Sequence, residues 1–159
     1  MQRAALLLAL ATLFATSDVA TAQERPNFAG KWTGATAGQG GRGGFAGLGD
    51  AATIAQDSAT ITVTRTTQMG EVRSVYNLDG SERRSTLELG EYSIPLRSTT
   101  KWDGGKLVIT TVFEANDQTF QTSMTLALEA DGSLTVVQTS PDFANGGAAT
   151  TTTRKYTKS

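Results

Sequence analysis

The stretch STTKWDGGKLVITTVFEANDQTFQTSMTLALEADGSLTVVQTS, residues 98–140, decides the fold. Its larger apolar side chains fall on every second position: Leu107, Ile109 and Phe113, then Phe120, Met124, Leu126 and Leu128, then Leu134 and Val136. A period of two sends alternate side chains to opposite faces of a strand, whereas a helix would repeat them every three or four residues. Asp103-Gly104 and Asp131-Gly132 break the alternation, and Asp-Gly supplies the positive φ angles of tight type I′ hairpin turns. Consecutive strands therefore fold back on one another.

The pattern extends in both directions. It recurs in AATIAQ (51–56), ATITVTRT (59–66), EVRSVYNL (71–78), ERRSTLEL (82–89), SIPLRSTTKW (93–102) and TTTTRKYT (150–157), all rich in Thr, Val and Ile. With Gly30–Thr33 as the first strand, the expected fold is all-β, an antiparallel up-and-down meander of about 8–10 strands. A meander of that size escapes exposed edges by closing, so a barrel is expected. Counting by parity, the short connections at Asp57-Ser58, Asp79-Gly80, Asp103-Gly104 and Asp131-Gly132 fall at one end. The longer ones, among them the glycine-rich ATAGQGGRGGFAGLGD (35–50), fall at the other.

Residues 1–22, MQRAALLLALATLFATSDVATA, carry Arg3, an apolar run from Ala4 to Phe14 and the small-residue site Ala20-Thr21-Ala22. They read as a signal peptide cleaved after Ala22, which makes the product periplasmic or secreted. The run is shorter than the roughly 20 residues of a spanning helix, so no membrane anchor is expected. Residues 23–159 then form a single domain with a glycine-rich loop at 34–50.

Charge and composition exclude several function classes. Removing Arg3 and Asp18 from 14 basic and 15 acidic residues leaves 13 and 14, a net charge still of −1. That balance gives no reason to expect nucleic acid as a partner. The chain has no cysteine and no histidine. It therefore has no disulfide framework, no thiol nucleophile, no conventional catalytic triad and no histidine to hold zinc or haem. No catalytic residues, metal ligands or cofactors are expected, and the chain reads as a binding protein rather than an enzyme.

Asn27-Phe28-Ala29-Gly30-Lys31-Trp32-Thr33-Gly34 resembles the opening of the calycins, the lipocalins and fatty-acid-binding proteins, in which Gly-x-Trp begins the barrel. The resemblance implies that Gly30, Trp32 and Arg154 form a structural signature, with Trp32 closing the barrel base and Arg154 of the last strand packed over its ring. It also implies a small, mainly hydrophobic or carboxylate ligand. The barrel start is similar as well to that of avidins and of the periplasmic inhibitors of secreted metalloproteases. This chain lacks the several tryptophans of the former and the disulfide of the latter.

Alternation assigns an inner face: Ile61, Val63 and Arg65; Val72, Ser74 and Tyr76; Ile94, Leu96, Ser98 and Thr100; Leu107, Ile109, Thr111 and Phe113; Phe120, Thr122, Met124, Leu126 and Leu128; Leu134, Val136 and Gln138. Arg65, Tyr76, Phe120 and Met124 are the candidate pocket residues, with Phe45 and Leu48 as apolar contacts of the long loop over the mouth. Arg65 either meets an anionic ligand inside or sits at the mouth with its head in water. The loop is either a lid or a connection without a role. Gly38, Gly40 and Gly43 match G-x-G-x-x-G, but no helix follows to receive a phosphate. The leading expectation is a lipocalin-like barrel that binds a small hydrophobic ligand. A protein-interaction module acting through QERPN, or a barrel with no cavity, are the alternatives.

Overall fold

The computed structural model describes residues 25–35, 47–67, 70–115, 117–142 and 148–159; the proposed signal peptide and Phe45 lie outside them. Ten strands form one antiparallel sheet: β1 (Gly30–Gly34), β2 (Ala51–Gln56), β3 (Thr60–Thr67), β4 (Gly70–Asn77), β5 (Arg83–Leu89), β6 (Tyr92–Asp103), β7 (Lys106–Ala115), β8 (Gln118–Leu128), β9 (Leu134–Asp142) and β10 (Ala148–Lys158). Each is hydrogen-bonded to its sequence neighbour, except that β1 also pairs with β10 and β4 does not pair with β5. The result is an up-and-down barrel, closed everywhere but at a seam between β4 and β5.

The tight turns gather at one end as parity requires, but they are not type I′. Asp79, Asp103 and Asp131 keep negative φ, while Gly80, Gly104 and Gly132 have φ of 84°, 58° and 78°. Asp79 and Asp131, like Asp57 at the β2–β3 turn, act through their side chains instead. Asp131 Oδ1 accepts from Ser133 N at 2.9 Å, Asp79 Oδ1 from Ser81 N at 2.9 Å, and Asp57 Oδ1 from Ala59 N at 2.8 Å. Each is a carboxylate closing its own turn two residues on, which an aspartate does without left-handed backbone. Glu129 and Ser133 flank the β8–β9 turn, where a left-handed glycine completes a three-residue loop.

The core fills the tight-turn end. Trp32, Ile54, Ile61, Leu107, Ile109, Met124, Leu126 and Leu134 belong to one buried cluster. Phe28 caps it from below and stacks on Trp102 with ring centres 6.1 Å apart; Arg25 lies over the Trp102 ring at 5.4 Å from its centroid. Trp32 Nε1 donates to the Phe28 carbonyl at 2.9 Å, so the ring packs in the base with its polar atom satisfied. Gln56 fastens the entering chain: it accepts from Phe28 N at 2.9 Å and donates to the Pro26 carbonyl at 3.0 Å. Leu128, placed inside by alternation, is 36% exposed. It ends β8 opposite Leu134, the first residue of β9.

Candidate functional site

Toward the loop end the interior changes character. Alternation keeps Arg65 in line with Ile61 and Val63, so its half-buried side chain turns into the barrel. Its Nη1 donates to the carbonyl of Gly47. Burial lowers the pKa of the guanidinium, and the neighbouring Tyr76 and Tyr156 push it back up. Burial raises the pKa of Tyr76, opposed by a hydrogen bond with Ser74 and by the charge of Arg65. The cation and the phenol thus share one partly desolvated region, where electrostatic interactions are stronger than in water.

The last strand supplies the other side. Arg154 and Tyr156 are two residues apart on β10 and face inward with their partners Val136 and Leu134. Tyr156 Oη donates to the Gly49 carbonyl at 2.7 Å, and Arg154 Nη1 approaches the same oxygen at 3.2 Å and Asp50 Oδ1 at 3.4 Å. The pKa of Tyr156 is raised by burial, against the lowering effect of Arg154. Arg154 therefore does not cover Trp32 as the resemblance implied. Lys158, Trp32's register partner, takes that place with Nζ 5.7 Å from the ring centroid. Arg154 is one step of four residues too far up the strand to reach it.

These donors hold the end of the glycine-rich loop inside the barrel. Leu48 is 1% exposed and belongs to the core cluster, so it is packed within and does not merely lie over the mouth. Gly47 has φ 134°, and a Cβ there would run into the Gln138 side chain. Only glycine fits that docked backbone.

A cavity of about 20 Å³ lies along the open seam, lined by Ser74, Tyr76, Ser85, Leu87, Leu96, Ser98, Thr111, Phe113 and Thr122 among others. It holds little more than a water molecule. The Ser98 and Thr111 hydroxyls are 2.8 Å apart and bond to one another. An open groove of about 500 Å³ lies against β5–β7, lined by Arg84, Arg97, Pro95 and Glu114 with others.

Of the residues singled out from sequence, Arg65 and Leu48 meet at the strap, and Tyr76, the register partner of Ile61, approaches Arg65 from the tight-turn side. Met124 belongs to the core, and Phe120 stacks on Phe113 at 5.6 Å. Alternation had already placed the hydroxyls of Ser74, Ser98, Thr111 and Thr122 on the inner face, but Tyr156 and the role of Arg154 in holding the strap were missed. The i, i+2 spacing of Arg154 and Tyr156 was the available signal, because it places both on one face. Among the described residues no group of His, Cys, Asp or Glu is arranged to hold a metal.

No family model matches the chain, and no curated protein matches it. Among solved structures it is similar to a point mutant of the fluorescent protein UnaG, with 20% identity over 83% of this chain and 96% of that chain and a TM-score of 0.51. The likeness bears out the fold that the Gly-x-Trp opening implied, an antiparallel up-and-down β-barrel.

Proposed function

We propose that this chain is exported and binds a small, mainly hydrophobic molecule with an anionic end, held inside the loop-side half of the barrel. The observation that carries this reading is the guanidinium of Arg65, turned into the interior beside Tyr76 and Tyr156. Desolvating a cation costs several kcal/mol, and a barrel that served only as an inert shell would gain more from an apolar residue there. A carboxylate accepting from Arg65 would receive charge-assisted hydrogen bonds, while its apolar part would lie against Leu87, Leu96 and Phe113. Catalysis has no part in this reading.

A cavity of about 20 Å³ is too small for such a ligand, so the room must come from side chains that now fill the interior. The reading through the N-terminal arm has less support. Arg25, Pro26 and Phe28 are fastened to Trp102 and Gln56 at the barrel base, which does not suit a segment that inserts into a partner.

The test is displacement of a bound fluorescent apolar probe, anilinonaphthalene sulfonate, from residues 23–159 by medium-chain fatty acids. Saturable one-to-one displacement is expected; failure to saturate would contradict binding inside the barrel. Sequencing the N-terminus of protein recovered from the periplasm or medium should give Gln23 first. Unprocessed protein retained in the cytoplasm would contradict export.

A further inference from the structure

The donors that would receive an anionic ligand already have an occupant. Arg65 donates to the Gly47 carbonyl, and Tyr156 and Arg154 to the Gly49 carbonyl, while the side chain between those two carbonyls, Leu48, is fully buried in the barrel. The strap Gly47–Asp50 thus presents two acceptor oxygens to the polar groups and one branched alkyl group to the core. That is the pattern of a small amphiphilic acid.

We propose that Gly47–Gly49, the part of the strap ahead of Asp50, is an internal stand-in for the ligand: it fills the part of the site the ligand takes, and binding expels it. The inference rests on the binding function proposed above. The ligand's carboxylate replaces the Gly47 and Gly49 carbonyls on Arg65, Tyr156 and Arg154, and its alkyl chain replaces Leu48. A carboxylate is the stronger acceptor for a guanidinium, which favours the exchange. The strap has the advantage of being tethered, which gives it a high local concentration.

The local backbone suits release. Asp50 stays fixed because its carbonyl accepts from Gly34 N at 2.8 Å in register with β1 and β2. Gly49, with φ 67° and open space about its Cα, can serve as the pivot. Gly47 docks only because it lacks a side chain, so an added methyl there selectively weakens the docked state.

Two measurements on residues 23–159 test this, with dodecanoic acid as the probe ligand. In the first, Gly47→Ala should bind dodecanoic acid about tenfold more tightly than wild type, because the competent state is more populated. The second uses Leu48→Cys, a single thiol in a chain that has no other. Saturating dodecanoic acid should raise its rate of reaction with a thiol reagent about tenfold as the side chain leaves the core. Suppose wild type binds dodecanoic acid, but the Leu48→Cys thiol reacts no faster with the acid present and Gly47→Ala gains no affinity. That result would overturn the stand-in while leaving the binding function intact. No binding by any of these chains, each folded by circular dichroism, would overturn both.

Discussion

Lys158 reaches across the barrel base to place its Nζ 5.7 Å from the centroid of Trp32, directly opposite it in the β1–β10 ladder. Its side chain also runs over Gly30, whose φ of 152° and missing Cβ leave it the room. The calycin-like Gly-x-Trp opening is therefore completed by a cation, but by the one at the end of β10. Replacing Lys158 with Ala should cost about 0.5–1 kcal/mol, the worth of a partly exposed cation–π contact. Lys158→Arg should cost less. Urea unfolding followed by tryptophan fluorescence measures both, and an equal loss from Arg154→Ala with no change in Lys158→Ala would contradict the assignment.

Trp32 carries a second, separable contribution. Trp32→Phe keeps most of the apolar ring but leaves the buried Phe28 carbonyl without its Nε1 donor. The expected cost is about 1–3 kcal/mol in the same unfolding experiment.

The strap and the core should respond differently to truncation. Leu126→Ala opens a cavity in the closed end that nothing can leave, with an expected cost of about 2–5 kcal/mol. Leu48 is equally buried, yet its loss can cost no more than the free energy that docks Gly47–Asp50, because the strap can undock while the barrel stays folded. Leu48→Ala should therefore be the milder change; a cost equal to that of Leu126→Ala would make the strap part of the cooperative core.

Acid should destabilise the barrel through its turns. Hydrogen bonds to Ser81 hold the Asp79 carboxyl below its usual range, and Asp57 is held down by the amides of Ala59 and Thr60. Asp131 is lowered furthest, by Lys155 at 2.8 Å and by Ser133. A depressed folded-state pKa gives stability that is present above the ordinary carboxylate value of about 3.8 and is lost as pH falls through the lower folded value. Melting temperature should accordingly be flat from neutral pH down to about pH 5 and fall below pH 4. Asp131→Asn should flatten that fall. At the alkaline end Asp131 raises the pKa of Lys155, so this pair's contribution persists past the usual lysine range before it is lost.

The sequence carried the fold through side-chain alternation and loop parity, which together placed the tight turns, the inner face and Trp32 at the base. It did not carry the seam. Asp79-Gly80 has the composition of a hairpin turn, and nothing in a strand's own sequence says whether its backbone pairs with the next strand. Here Asn77 turns its side chain to Arg83 and Ser81, and the ladder ends before β5. The turn type was misjudged because an aspartate can close a turn either through its backbone or through its carboxylate. Arg65 was legible as an inward position, but which way its head goes depends on Gly47, whose carbonyl reaches it only after a long loop has folded back. Arg154 and Lys158 share a face, so alternation alone could not choose between them over Trp32.

The central claim is that the half-buried guanidinium of Arg65 selects an anionic ligand, and the most direct measurement compares dodecanoic acid with its neutral alcohol by calorimetric titration of wild type and Arg65→Leu. Wild type should bind the acid about tenfold more tightly than the alcohol, at one ligand per chain, and Arg65→Leu should bind both alike. A wild-type barrel that takes neither ligand, or that shows the same preference without Arg65, would contradict the account.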